Sequence, residues 1–240
     1  MATGAQETPA ARPGWTLPGV ITTGAGQTML RAYEAVAPGR IVVAGNGPLN
    51  LQLAAELVRR GADVAAVVDS APAPVKRPFL ATRLSVASPR LALAGMLHLA
   101  TLCRAGVPVL WGSVVTRIEG EDRVERVAVK QQGGAERWIE TQTVCLGDGF
   151  VPASELPRLL GCRQEIRNWP VTHPETGREP DGKTDQADVS VIGEAGRFGG
   201  AFLAQAQGIL CAARLLERGG KPGPSGCARG RRGCPGKAGE

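Results

Sequence analysis

Aromatic residues are scarce in this chain, 4% of 240, with a single tyrosine. Its core must therefore be built mostly from Ala, Val and Leu. Histidine is rarer still, with His98 on an apolar stretch, "GMLHLATL", and His173 in a Pro-rich one. Neither has a cysteine or acid placed to complete a ligand set or a triad. His98 reads as a core histidine, and no metal site and no catalytic dyad is expected. The six cysteines (Cys103, Cys145, Cys162, Cys211, Cys227, Cys234) form no C-x-x-C and no zinc spacing. That argues against a dithiol redox centre. No apolar run is long enough to span a membrane, and residues 1–20 lack the basic start and apolar stretch of a signal peptide. The expectation is a cytoplasmic protein with reduced thiols and no membrane partner.

What is abundant is glycine and proline, 33 and 18 residues, unevenly spread. The formal net charge of +6 is also uneven. Residues 218–240 hold six basic side chains (Arg218, Lys221, Arg229, Arg231, Arg232, Lys237) against Glu240 alone, so the body is nearly neutral. The Gly/Pro-rich tail reads as a disordered solvated end, and no nucleic-acid partner is expected.

The centre of the chain carries the clearest pattern. "RIVVA" is a continuous apolar run, as in a strand buried on both faces. Residues 48–60 repeat at helical spacing and stop at Gly61. "DVAAVVD" is a second buried strand. Together they make a βαβ unit of about 30 residues. Upstream, "GVITTGAGQTMLRAYEAV" reads as a short strand, a glycine turn and a helix near 26–35. Downstream come a helix near 89–105 and the strand "VPVLW". Three more strands follow, "SVVTRIEG", "VERVAVKQ" and "RWIETQTVCLG", joined by polar hairpin turns. "SELPRLLG" reads as a short helix and 163–187 as loop. "DVSVIG" reads as a strand, followed by a glycine-rich turn and a helix near 200–217.

The run Gly45-Asn46-Gly47-Pro48-Leu49-Asn50 follows the first buried strand and opens the helix. It matches G-x-G-x-x-G except that Asn50 stands at the last position. Gly45 permits a tight turn, Gly47 lets the backbone approach a pyrophosphate, and the helix start offers N–H groups and positive dipole. Asp69 closes the next strand, where a carboxylate can accept hydrogen bonds from ribose hydroxyls. The expected ligand is NAD(P) or another adenine nucleotide. Asp69 favours NAD, and Lys76 and Arg77 read as solvated loop charges. The alternative is a Rossmann-like unit that keeps the shape and binds nothing. In "VIGEAGRFGGAFLAQAQG", Gly193 and Glu194 fall at a strand tip and Gly200 and Ala201 at a helix start. This is a second arrangement suited to an anion and hydroxyls, or a plain strand–turn–helix.

Four segments, in chain order, resemble one family. "ATGAQETPAARPGWTLPGV", "VVAGNGPLNLQLAAELVRRGADV", "VCLGDGFVPASELPRLLGC" and "VIGEAGRFGGAFLAQAQGILCA" are similar to the FAD/NAD(P)-binding flavoproteins of the pyridine nucleotide–disulfide oxidoreductase type. Within it they resemble the FAD-dependent subunits of hydrogen cyanide synthase, opine oxidase and heteromeric proline or hydroxyproline dehydrogenases. The likeness covers about residues 1–217.

It implies an α/β fold: a Rossmann-like three-layer ββα domain at 37–147, flanked by pieces of an incomplete FAD-binding domain at 1–36 and 148–217, with the tail at 218–240. It implies that Thr3, Gly4, Gly193, Glu194, Gly200 and Ala201 border FAD, with Glu194 where the family usually has Asp. The partner it implies is a second, catalytic flavoprotein subunit. Family members carry an FAD fingerprint upstream of the Ala-Thr-Gly strand. Here the chain starts at that strand, so an internal start, fragment or remnant is expected, and FAD held weakly by this chain alone. The competing reading is a non-catalytic nucleotide-binding scaffold that serves subunit contact.

Overall fold

A strand whose successive residues are all apolar needs cover on both faces, and the region around Ile41 finds it in two different layers. The computed structural model describes all residues except 9, 77, 78, 80, 81, 84, 85, 87, 132, 169–171, 177–180, 197, 198 and 219–240, with backbone alone at 167, 168 and 172–175. The basic tail beyond Arg218, Arg77, Cys227, Cys234 and the His173 side chain lie outside the described residues.

In chain order the elements are β1 (Ala5–Glu7), β2 (Val20–Thr22), α1 (Thr23–Ala32), β3 (Ile41–Gly45), α2 (Pro48–Arg59), β4 (Val64–Asp69), α3 (Pro89–Arg104), β5 (Val109–Trp111), β6 (Ser113–Glu119), β7 (Arg126–Gln131), β8 (Glu136–Glu140), β9 (Thr143–Gly147), β10 (Phe150–Pro152), α4 (Glu155–Leu159), β11 (Glu165–Asn168), β12 (Thr172–Glu175) and α5 (Gly200–Arg218). The chain divides into two compact units, Glu7–Gly149 and Met1–Gln6 with Phe150–Glu240.

In the 7–149 unit a parallel sheet runs in the order β2-β9-β3-β4-β5, and β6-β7-β8 form an antiparallel sheet. Side chains alternate across a strand, so β3 feeds two cores. Ile41 and Val43 pack with Leu30 of α1, Leu53 and Leu57 of α2 and Leu102 of α3. Val42 and Ala44 pack with Val115, Ile118, Val127 and Val129 of the antiparallel layer. The result is the expected three-layer ββα arrangement. Each fully buried Val, Leu or Ile contributes about 1.5–3 kcal/mol of transfer free energy, so an aliphatic core is sufficient without aromatics.

The helices start and stop where local chemistry dictates. Thr22 caps α1, its hydroxyl accepting from the Ala25 N–H at 3.1 Å, so the helix begins at 23 and no glycine turn intervenes. Pro48, which has no N–H to lose, opens α2. Both α2 and α3 end in a left-handed glycine, with Ala62 N–H donating to Leu57 O and Val107 N–H to Leu102 O.

Three other sequence expectations differ from the structure. "RWIETQTVCLG" is two strands, not one: β8 belongs to the antiparallel sheet and β9 to the parallel sheet. Between them the Thr141 hydroxyl donates 2.7 Å to Arg40 O, and the Gln142 N–H donates to the same carbonyl. That turns the chain with neither Gly nor Pro. In the other unit, residues read as loop contain the antiparallel hairpin β11–β12, with Ile166 opposite Pro174. "DVSVIG" is no strand. Ser190 makes an isolated bridge to Lys183, and Ile192 N–H donates to Met1 O, so its main chain is satisfied without a continuous ladder. The boundary expected at 36/37 falls inside the 7–149 unit, because β2 is the edge strand beside β9.

Candidate functional site

The β3–α2 turn is where the parallel sheet brings three strand ends level: Gly45 lies opposite Gly147 of β9 and Asp69 of β4. Gly45 has φ 146°, and a Cβ there would stand 2.1 Å from Gly147 O, so no side chain fits. Gly47 has φ 109°, and a Cβ there would meet nothing within 4 Å. The tip of α2 therefore opens to free space, and its N-cap residue, Gly47, supplies no side-chain cap. Asn46 and Pro48 are exposed and Leu49 half-buried at that tip. Uncapped amides at a helix start attract an anion by hydrogen bonding and dipole together.

Asn50 does not line this opening. It is 1% exposed and ties three elements together. Its Oδ1 accepts from the Thr23 hydroxyl at 2.7 Å, and its Nδ2 donates to Gly147 O at 2.9 Å. Asn46 N–H donates to the same carbonyl at 2.8 Å. Where the glycine motif closes on a small residue so that helix and strand can approach, this chain fills the space with an amide and bonds across it.

Asp69 is buried at the end of β4. Its Oδ1 accepts from Ala71 N–H at 2.8 Å. Burial pushes its carboxyl above the ordinary value, and hydrogen bonds from the Ala71 and Gly47 amides pull the other way. The acid is thus coupled directly to the second glycine of the loop. A surface groove of about 670 Å³ in the same unit is lined by other residues, among them Glu119, Glu121, Glu125 and Glu140. Those carboxylates repel a phosphate, so the loop is the better candidate despite its openness.

In the second unit the remaining candidates gather around the chain start. Thr3 Oγ1 donates to Ala153 O at 3.1 Å and Ala153 N–H to Gly4 O at 3.0 Å. On the other side, the Met1 ammonium donates to Ser190 O at 2.6 Å. The segment 1–4 thus lies between 153 and 190–192, next in sequence to Gly193 and Glu194. These two begin a 3₁₀ turn, Gly193–Ala195, with Glu194 half-buried. Gly193 N–H donates to Gln207 Oε1 of α5 at 2.8 Å, which fixes the turn against the helix that Gly200 and Ala201 open. Gln207, Thr23 and Gly147 are site-shaping residues that the motif reading missed. A polar residue at a helix position otherwise facing the core was the available signal for Gln207.

The cysteines do not pair. Cys103 is exposed and Cys145, Cys162 and Cys211 are buried as free thiols. Burial, with Glu7 nearby, pushes the Cys145 thiol up to about 12. Among the described residues no group of three or more His, Cys, Asp or Glu side chains is placed to hold a metal, and no helix is long and apolar enough to cross a membrane.

The family model for pyridine nucleotide-disulphide oxidoreductases matches residues 1–208. The chain belongs to this family. Among curated pyridine nucleotide-disulphide oxidoreductase relatives, an opine oxidase subunit of Agrobacterium tumefaciens (strain Ach5) is 34% identical over 90% of this chain and 42% of its own length. Hydrogen cyanide synthase subunit HcnB of Pseudomonas protegens is 27% identical over 92% of this chain and 48% of its own. The chain thus spans a little under half the length of these relatives. Among solved structures, an FAD-dependent pyridine nucleotide-disulphide oxidoreductase from Desulfovibrio vulgaris superposes with a TM-score of 0.65 at 21% identity, over 90% of this chain and 53% of that one. The thioredoxin reductase of T. acidophilum gives 0.61 at 18%, over 89% and 62%. At these identities the structural likeness establishes the fold alone.

Proposed function

We propose that this chain is part of an FAD/NAD(P)-dependent oxidoreductase subunit that binds an adenine dinucleotide at Gly45, Asn46, Gly47, Pro48, Leu49 and Asn50. Asp69 receives the ribose hydroxyls. The observation that carries this reading is the open space in front of Gly47 at an uncapped helix start, with Asp69 hydrogen-bonded to the Gly47 amide behind it. The residues fit the ligand. A diphosphate needs amide donors without intervening side chains, and the loop has them. A nicotinamide or flavin, when bound, supplies the two-electron acceptor. The protein's part is to orient the diphosphate, hold the ribose and exclude bulk from the glycine turn. Asn50 acts here through the backbone it holds, since its own side chain is spent on Thr23 and Gly147.

Thr3, Gly4, Gly193, Glu194, Gly200 and Ala201 form the second part of the proposal, a partial FAD-contacting surface. Gly200 opens α5 with clear space at its Cα, and Glu194 stands on a turn that Gln207 holds in place. The partner is a second flavoprotein subunit, supported by relatives that are themselves named as enzyme subunits. The test is calorimetric titration with NAD(H) and with FAD, and a visible spectrum of the purified chain. The expected result is NAD(H) binding that falls at least about tenfold in Gly47→Trp, with little flavin absorbance. A Gly47→Trp variant that binds as well as wild type refutes the nucleotide site. A stoichiometric flavin spectrum in the isolated chain refutes the weak FAD surface.

A further inference from the structure

The inner face of α5 is held tightly. Gln207 binds Gly193, Arg214 Nη1 donates to Asp181 Oδ2 at 2.7 Å, and Cys211 is buried. The outer face has no such partners. Phe202 is 81% exposed, Ile209 62% and Leu216 39%. Alanines sit between them at 206 and 213. The steps along 202, 206, 209, 213 and 216 are four, three, four and three, which lie in one stripe on a helix. Large and small residues alternate along it without exception, and none is charged.

We infer that α5 pairs with α5 of a second copy of this chain, antiparallel across a twofold axis between Gln207 and Gly208. In that register Phe202 faces Ala213 of the second copy, Ala206 faces its Ile209, and Leu216 faces its Gly199, so every layer joins a large residue to a small one. A parallel pair would set Phe202 on Phe202 and alanine on alanine, alternating clashes with voids, which dense packing disfavours. A twofold interface must be complementary to itself, and this stripe is. The exposed apolar surface of Phe202, Ala206, Ile209, Leu210 and Leu216 is roughly 450 Å² per copy, so pairing removes about 900 Å² from water, near the roughly 1,000 Å² lower edge of specific interfaces. The dimer is therefore weak and concentration-dependent, with a dissociation constant on the order of 10 µM. It uses none of the residues assigned to nucleotide binding.

The experiment is sedimentation velocity on the full chain from about 1 to 300 µM, a range that brackets that constant, with far-UV circular dichroism of each variant. Wild type should dimerise reversibly. Ile209→Glu should raise the dissociation constant at least about tenfold with helicity unchanged, because the side chain points outward. Ala206→Leu should also weaken the pair about tenfold, by setting large against large. The reciprocal swap, Ala206→Ile with Ile209→Ala, should return the constant to within about threefold of wild type, because each layer regains one large and one small residue. Wild type that stays monomeric throughout overturns the inference, as does a dimer indifferent to Ile209→Glu. A tighter dimer in Ala206→Leu would show unspecific apolar association and overturn it as well.

Discussion

Replacing Asn50 by glycine restores the full glycine motif, yet the structure expects it to damage the protein. The side chain makes two buried hydrogen bonds, from Thr23 Oγ1 and to Gly147 O. Gly147 O keeps the Asn46 N–H, so losing Nδ2 there costs about 1 kcal/mol. Thr23 is 0% exposed, and its hydroxyl is left without that acceptor or water, about 1–3 kcal/mol. The vacated volume and, for glycine, the looser unfolded chain add about 1 kcal/mol. Asn50→Ala should therefore lose about 3 kcal/mol and Asn50→Gly about 4. For a chain of this size these correspond to Tm decreases of about 6–12 °C and 8–16 °C. Urea and thermal unfolding followed by circular dichroism measure both. A double-mutant cycle with Thr23→Val should return a coupling of about 1 kcal/mol or more. If Asn50→Gly is within about 0.5 kcal/mol of wild type, Asn50 is only a tolerated replacement in the motif and the cross-link argument fails.

Thiol accessibility gives a second prediction. Maleimide at pH 8 should label native Cys103 quickly, while Cys145, its thiol pushed up to about 12, labels only on unfolding; mass spectrometry of the digest reports both, and rapid native labelling of Cys145 would contradict its burial. Asp69 gives a third. Its folded carboxyl sits above the ordinary 3.8 because burial opposes ionisation, so the folded state holds that proton more strongly and stability falls as pH rises from 3.8 through the folded value. Asp69→Asn removes this slope: its stability relative to wild type should climb across that window and level off above it, while NAD(H) affinity drops. A difference curve that falls with pH reverses the sign and refutes the assignment.

The βαβ unit was legible because its signals agree with one another. β3 and β4 are unbroken apolar runs, Gly61 and Gly106 end their helices with left-handed backbone, and the glycine loop sits between strand and helix. What stayed hidden depends on contacts distant in sequence. The bend at Thr141 is made by Arg40, 101 residues away, and no local punctuation marks it. The apolar "VSVI" has the composition of a strand, but its hydrogen-bond partners are Met1 and Gly182, which supply single rungs. Asn50 looked like a flaw in a motif because spacing rules describe what a position usually omits. Its actual partners come from α1 and β9.

β3 is five residues long, and consecutive side chains belong to different halves of the interior. Removing one residue just before it would send Val42 and Ala44 toward the helices and Ile41 and Val43 toward the other sheet, and would pull Gly45 out of line with Gly147 and Asp69 in the same stroke. An edit in the turn before β7 disturbs one layer only. Natural length variation in this chain should therefore collect at the antiparallel hairpins and be absent between Gly39 and Gly47, and a library of single-residue deletions scored for soluble expression would map that division directly.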